Sequence, residues 1–287
     1  MEYTYYPGCS LKGTGKHYEE SILPVFKELG IELYELEDWN CCGATAYMSV
    51  DEMSAFALAS RNLSIAEKAG RDIMAPCSAC YLVLKKTKDY MKEYSEIGRK
   101  VHKALAAAGL QFNDTIDVKH PLQVLVGDFG LEAMGAKVKN KLDGYKVAPY
   151  YGCQIVRPYK DFDDSIYPTS MDRLLETLGA EVVDYHLKTR CCGGSLTGTI
   201  EEVGLRLNYI LLNEAQKRGA NCIATVCPLC QFNLECYQDK INSEYGSQIS
   251  MPILYLPQLI GLALDIPREE LGFNRSLVDL EPLLAIA

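Results

Sequence analysis

NCIATVCPLC, residues 221–230, is a short apolar run that ends in a CxxC, with a helical pattern beyond it. RDIMAPCSAC, residues 71–80, has the same build. Short apolar runs of this kind read as buried strands. Each CxxC therefore stands at the carboxyl end of a strand and opens a helix. Upstream of each lies a cysteine pair followed by glycine, Cys41-Cys42-Gly43 and Cys191-Cys192-Gly193. The step from Cys42 to Cys77 and from Cys192 to Cys227 is 35 residues in both cases. Further back stand Cys9, in YYPGC (5–9), and Cys153, in PYYGC (149–153). Ten of the 12 cysteines thus belong to one pattern written twice.

The segments between the cysteines also correspond. A helical pattern over residues 19–29 stops at Gly30, and one over 170–178 stops at Gly179. Glycine just past the last apolar position is the usual helix stop. IELYELED (31–38) and AEVVDYHL (180–187) read as strands leading into the cysteine pairs. Amphipathic stretches at 51–69 and 200–218 end at Gly70 and Gly219. Residues 120–135 resemble residues 251–264, and residues 84–118 form a helical insertion specific to the first copy. Strand and helix in alternation imply an α/β fold. The expectation is two pseudo-symmetric repeats, residues 1–145 and 146–287, each a small parallel sheet flanked by helices. Reactive groups gather at the carboxyl ends of the strands in such sheets. Each repeat would then gather its cysteines there, and pseudo-twofold packing would bring the two sites face to face.

Composition narrows the function. Hydrophobic residues make up 48% of the 287 and charged residues 23%, as in an ordinary globular protein. A formal net charge of −9 argues against a nucleic-acid partner, which needs clustered basic surface. No apolar run is long enough for a membrane span. MEYTYYPGCS (1–10) has no basic-then-apolar signal, so a cytoplasmic location is expected. Structural disulfides are rare in that compartment, so this many cysteines point to metal or redox chemistry.

Five thiols per copy are one more than a zinc ion or a cubane cluster takes. Adjacent cysteines suit a single tetrahedral ion poorly and several neighbouring metal atoms better. A CxxC at a helix start lies near free N–H groups and the positive end of the helix dipole. Gly43, Gly193 and Gly194 allow close backbone approach to sulfur. A dithiol reductase would use one CxxC per copy and leave the other three cysteines idle.

The pattern C-x31-CC-x34-CxxC followed by C-x37-CC-x34-CxxC resembles the tandem CCG-domain family that includes the B subunit of heterodisulfide reductase. The resemblance covers essentially the whole chain. It implies two noncubane [4Fe–4S] clusters that cleave the coenzyme M–coenzyme B heterodisulfide. It also implies two partners that supply the electrons, one ferredoxin-like and one flavin-containing. Carried over by position, Cys9, Cys41, Cys42, Cys77 and Cys80 would hold one cluster. Cys153, Cys191, Cys192, Cys227 and Cys230 would hold the other. Zinc in place of one cluster is the minor alternative. Reducing a disulfide takes two electrons and gives two thiolates, one for each site.

Other residues are read as follows. Cys222 and Cys236 lack counterparts in the first copy and read as core. His17, His102, His120 and His186 show no metal spacing; His120 and His186 read as structural. Lys12, Lys16, Arg157, Lys188 and Arg190 lie near the motif loops and are candidates for an anionic small-molecule disulfide substrate. Trp39 precedes the first cysteine pair and either shields the site or packs in the core. A competing expectation is an electron-transfer component of a lactate- or glycolate-oxidising complex. Many such chains carry a ferredoxin-like run before the first CCG motif. Only eight residues precede Cys9 here, which favours a separate polypeptide. A zinc-stabilised scaffold is the non-enzymatic alternative.

Overall fold

The computed structural model describes residues 1–159 and 162–286. In the first half, β1 (Glu2–Tyr5), β2 (Glu32–Glu35), β3 (Ile73–Met74) and β4 (Val118–Lys119) form a wholly parallel sheet in the order β2-β1-β3-β4. In the second, β5 (Lys146–Tyr150), β6 (Glu181–Val182), β7 (Cys222–Thr225) and β8 (Ile253–Tyr255) repeat it as β6-β5-β7-β8. The first half carries α1 (Gly8–Leu11), α2 (Lys16–Glu28), α3 (Ala44–Val50), α4 (Glu52–Ala69), α5 (Ser78–Glu93) and α6 (Ser95–Ala107). After β4 come α7 (Pro121–Gln123), a π-type turn over Val124–Gly130 and α8 (Leu131–Lys137). The second half carries α9 (Ser170–Thr177), α10 (Glu201–Lys217), α11 (Pro228–Cys236), α12 (Gln238–Tyr245), α13 (Leu256–Ala263) and α14 (Glu281–Leu284). The α/β class, the parallel sheets and the doubled layout are those expected from the sequence.

In each sheet the first strand is central and the chain leaves it once in each direction. That reversal opens a crevice at the carboxyl ends of the strands. Cys9, the Cys41 pair and the CxxC of Cys77 follow β1, β2 and β3; Cys153, the Cys191 pair and the CxxC of Cys227 follow β5, β6 and β7. The inner strands are largely covered, as parallel sheets require, whereas the edge strand β2 exposes Glu32, Tyr34 and Glu35. Ile73, Met74 and all four residues of β7 are buried.

Two details differ from the sequence reading. The strand expected at 180–187 is reduced to Glu181–Val182, because the backbone leaves the ladder once Val183 N–H has bonded Val147 O at 3.0 Å. The repeat within the tails is also shifted. Residues 121–135 are helical, and the true equivalence pairs β4 and α7 with β8 and α13. His120 and Tyr255 then occupy the same place, capping a helix with proline in its first turn.

The halves interlock through those tails. α8 packs on α9, the opening helix of the second half, and α13 packs on α2, the opening helix of the first. A single apolar core therefore runs from Tyr5, Ile22 and Phe26 through Val147 and Leu174 to Leu254 and Leu259. A second core, with Tyr150, Tyr185, Leu212 and Leu234, fills the far side of the second sheet.

Candidate metal centre

Each half gathers its five cysteines in the same graded way. Cys42, Cys77 and Cys80 are buried, whereas Cys9 and Cys41 are exposed. Cys192, Cys227 and Cys230 are likewise buried, with Cys191 exposed and Cys153 partly so. All twelve are free thiols. The inner sulfurs meet in pairs, Cys42 Sγ to Cys80 Sγ at 3.3 Å and Cys192 Sγ to Cys230 Sγ at 3.6 Å. Among the described residues, no group of three or more His, Cys, Asp or Glu side chains is arranged to hold a metal ion.

The backbone is shaped around these sulfurs. The N–H of Gly43 donates to Cys41 Sγ at 3.4 Å, and that of Ala44 to Cys42 Sγ at 3.4 Å. In the second half Gly193 N–H donates to Cys191 Sγ at 3.3 Å. Gly8, at φ +63°, leaves room for Cys80: a Cβ there would stand 3.0 Å from its sulfur. Gly152, at φ +71°, does the same for Cys230 at 3.2 Å. Both conformations also disfavour any side chain. These two glycines precede Cys9 and Cys153 in the quoted motifs, yet their spatial role needs the CxxC helix opposite them to be visible.

Crowding divides the thiols into proton donors and acceptors. Cys42 is brought down to about 4, first by the hydrogen bond from Cys41 and then by that from Cys80. Cys191 is brought to about 6 by the hydrogen bond from Cys153, and Cys227 to about 7 by that from Cys230. Their donors Cys41, Cys153 and Cys230 are pushed up in turn. Proton-poor thiols in both halves are what a metal needs, since the thiolate is the ligand.

A matched pair of tyrosines, missed in the sequence reading, holds the cysteine-pair loops. Tyr6 donates to the carbonyl of Asn40 at 2.8 Å, and Tyr150 to that of Arg190 at 2.6 Å. Asn40 and Arg190 are the residues directly before the two cysteine pairs. The only available signal was a shared tyrosine three residues ahead of Cys9 and Cys153. Trp39 is half-buried and packs edge-on against Tyr6, with ring centres 5.7 Å apart.

The basic candidates divide by what they already bind. Lys188 is buried, bonded to Asp172 Oδ1 at 2.5 Å and Pro168 O at 2.9 Å. Arg157 donates to Ser165 O at 2.9 Å and to Thr189 O, and its charge favours the thiolate of Cys191. Lys12 pairs with Glu19 at 2.7 Å and Glu35 at 2.9 Å. Lys16 and Arg190 are exposed. Cys222 is buried in β7, as read from the sequence. Cys236 is not core: it ends α11 with its side chain exposed, one residue past the buried Glu235. His102 is exposed, His186 faces Glu214 and Arg218 at the surface, and His17 and His120 are buried.

The two sites adjoin. Ser78, inside the first CxxC, donates to Val226 O at 3.4 Å and reaches the Cys227 thiol, helping to lower it. Pro228, inside the second CxxC, is close enough to Gly15 that a Cβ there would lie 3.1 Å from its ring. An iron–sulfur cluster takes thiolates, N–H donors to sulfur and shelter from water. Each quintet supplies all three.

Comparison with known proteins agrees with this layout. The model of the CCG cysteine-rich domain matches residues 3–85 and again 147–235. The membrane anchor subunit of an 8-methylmenaquinol:fumarate reductase, from Wolinella succinogenes, is 35% identical over 97% of both chains. The B subunit of a ferredoxin:CoB-CoM heterodisulfide reductase from Methanosarcina mazei is 31% identical over 94% of this chain and 92% of that one. A protein from Archaeoglobus profundus, named for its likeness to the heterodisulfide reductase B subunit, is 32% identical over 95% and 93%. A solved hypothetical protein from Helicobacter pylori shares the fold, with a TM-score of 0.78 at 15% identity; it covers 97% of this chain, which spans 52% of that one. No helix among the described residues is long and apolar enough to cross a membrane. With the domain matched twice and relatives aligned nearly end to end, this chain belongs to the tandem CCG cysteine-rich family of oxidoreductase subunits, alongside the B subunit of heterodisulfide reductase.

Proposed function

We propose that the chain is the catalytic iron–sulfur component of a disulfide-reducing complex, acting on a heterodisulfide such as that of coenzymes M and B. The observation that carries this reading is two like cysteine quintets meeting at one seam, joined through Ser78, Val226 and Cys227. In the proposal Cys9, Cys41, Cys42, Cys77 and Cys80 hold one cluster, and Cys153, Cys191, Cys192, Cys227 and Cys230 the other. Noncubane [4Fe–4S] clusters are the expected type. When bound, each would supply one electron and an iron to which a released sulfur can attach.

The protein's own residues do the rest. The buried cysteines keep the inner side of each site dry, while Cys9, Cys41 and Cys191 leave its outer side open to a small molecule. Gly43, Ala44 and Gly193 direct N–H groups at sulfur, which favours electron-rich sulfur and so tunes potential. Lys12, Lys16, Arg157 and Arg190 are exposed; Lys12 and Arg157 are already engaged by Glu19, Glu35, Ser165 and Thr189, so Lys16 and Arg190 suit the anionic ends of a substrate best. Lys188 instead braces the loop over α9 through Asp172. Electrons would come from partner proteins of the complex, a ferredoxin-like one fed by a flavin-containing one.

A second reading is favoured by the 35% identity to the fumarate reductase component: electron transfer inside a quinol-linked complex without disulfide chemistry. Oxygen-free purification and metal analysis come first. About eight irons with acid-labile sulfide per chain is the expected result. Zinc without iron removes both redox readings, and about four irons plus one zinc puts zinc in one half. Turnover of the heterodisulfide by the reduced protein separates the two redox readings. Iron-loaded protein that leaves the disulfide intact sinks the first.

A further inference from the structure

His120 is fully buried and comes from the first half, at the end of β4. Its two ring nitrogens are used differently. Nδ1 lies 3.2 Å from the backbone N–H of Leu122 and accepts from it. The proton of the neutral ring must then sit on Nε2. That Nε2 lies 3.0 Å from Pro76 O and 3.3 Å from Val226 O. Pro76 directly precedes Cys77, and Val226 directly precedes Cys227. One N–H thus spans the two chain segments that launch the two CxxC helices, one from each half.

We propose that His120 is the positioning residue that sets the spacing between the two cysteine sites, by holding the Pro76 and Val226 carbonyls on a single N–H. The proposal rests on the reading that both sites are redox centres acting together, and adds how their separation is fixed. Two further donors from the first half reach Val226 O, Tyr18 at 3.3 Å and Ser78 at 3.4 Å. They secure the second half against the first but do not touch Pro76 O. Among the described residues, only His120 is bonded to both carbonyls. Tyr255 stands where His120 does in the other half, but it stacks on Tyr18 at 4.2 Å, and its hydroxyl has no partner among the described residues. The bridge is therefore single, not doubled by the pseudo-symmetry. Its location suits the role, because a buried hydrogen bond in low dielectric holds geometry firmly.

The test uses the full chain, purified without oxygen and reduced, and reads the magnetic interaction between the two iron centres. His120→Asn keeps an acceptor for Leu122 N–H, asparagine being a good helix cap, but is too short to bridge. His120→Gln reaches the bridge with its amide and gives up the cap. The expected result is full iron in both variants, with a weaker and more spread interaction in His120→Asn and a near-wild-type one in His120→Gln. An interaction unchanged in His120→Asn overturns the proposal. If His120→Asn does not accumulate as folded protein, Tyr18→Phe/Ser78→Ala decides. It removes the other two donors to Val226 O, so an unchanged interaction supports the bridge, and one as disturbed as that expected of His120→Asn overturns it. Wild-type protein without two interacting iron centres would sink the proposed function instead, and is told apart because it needs no variant.

Discussion

The cysteine-pair loops of the two halves carry the same motif and are both held upstream of it by a tyrosine, Tyr6 and Tyr150, but among the described residues only the second is also gripped downstream by an asparagine. In the first half the grip is upstream. Asn40 and Asn62 bond each other reciprocally, N–H to Oδ1 at 3.0 Å and Nδ2 to carbonyl at 2.9 Å, just before Cys41. Downstream the loop has room: the nearest atom to a Cβ on Gly43 would be Tyr47 Cδ1 at 3.4 Å. In the second half a further grip is downstream. Asn233 of α11 bonds Cys192 O at 2.7 Å and is itself held by Thr197 at 2.8 Å. A Cβ on Gly194 would stand 2.7 Å from Leu229 Cγ, so that loop is wedged against the CxxC helix. Two sites with the same five cysteines are thus held with unequal slack. Unequal hydrogen bonding and solvent access around sulfur are what separate the potentials of otherwise like clusters.

The largest effect to expect is from the proposed ligands themselves. Cys42→Ser and Cys192→Ser should each lose the iron of one half and abolish turnover, whatever the anchoring of the loop. Iron and sulfide per chain and an activity assay check this. If Cys192→Ser retains full iron and turnover, the five-ligand assignment is wrong and the second half is not a site of the same kind. If only one of the pair loses iron, the halves differ in chemistry and not merely in slack.

Next in size is the difference between the tails, His120 against Tyr255. Burial pushes His120 down to about 4, against hydrogen bonds that act the other way. The unfolded chain therefore takes up that proton first as pH falls. Stability from this group is complete above about pH 6.5 and is lost as pH drops toward about 4, by roughly 3 kcal/mol at most. Denaturant unfolding from neutral to mildly acid pH should show this loss in the wild type and in Tyr255→Phe, and a flatter profile in His120→Gln. A profile in His120→Gln as steep as the wild type's assigns the loss to other groups.

The doubled cysteine pattern, the glycine helix stops and the strand-to-CxxC junctions were legible because each is local. A helix ends at Gly30 or Gly179 for reasons within its last turn, and a repeat with a constant 35-residue step declares itself. What escaped is non-local. Lys188 in HLKTRCC reads as a candidate cation for an anionic substrate until Asp172, at the start of α9, is seen beneath it. Nothing in the chain order tells that α13 crosses to α2 and α8 to α9, since both choices would bury the same apolar faces. Cys236 falls in a helical stretch, but the last turn of α11 leaves it exposed. His120 reads as structural, which its burial fits, but its two carbonyl partners lie 44 and 106 residues away.

The smallest effect sharpens the comparison at the glycines before Cys9 and Cys153. Gly8→Ala and Gly152→Ala both force a side chain into positive φ, at a cost of roughly 1–2 kcal/mol each. The steric parts differ. At Gly8 the new Cβ would also meet Tyr6 Cε1 at 3.4 Å, besides Cys80 Sγ at 3.0 Å; at Gly152, among the described residues, it would meet only Cys230 Sγ, at 3.2 Å. Tyr6 cannot retreat freely, because its hydroxyl holds the carbonyl before Cys41. Gly8→Ala should therefore cost more stability in denaturant unfolding and release iron from its half sooner than Gly152→Ala does. Equal losses would mean that the sulfurs yield alike and the tyrosine does not transmit the strain. Full iron and unchanged stability in Gly8→Ala would show that Cys80 is not pressed against this backbone at all, which removes the tight inner wall on which the first site's shape depends.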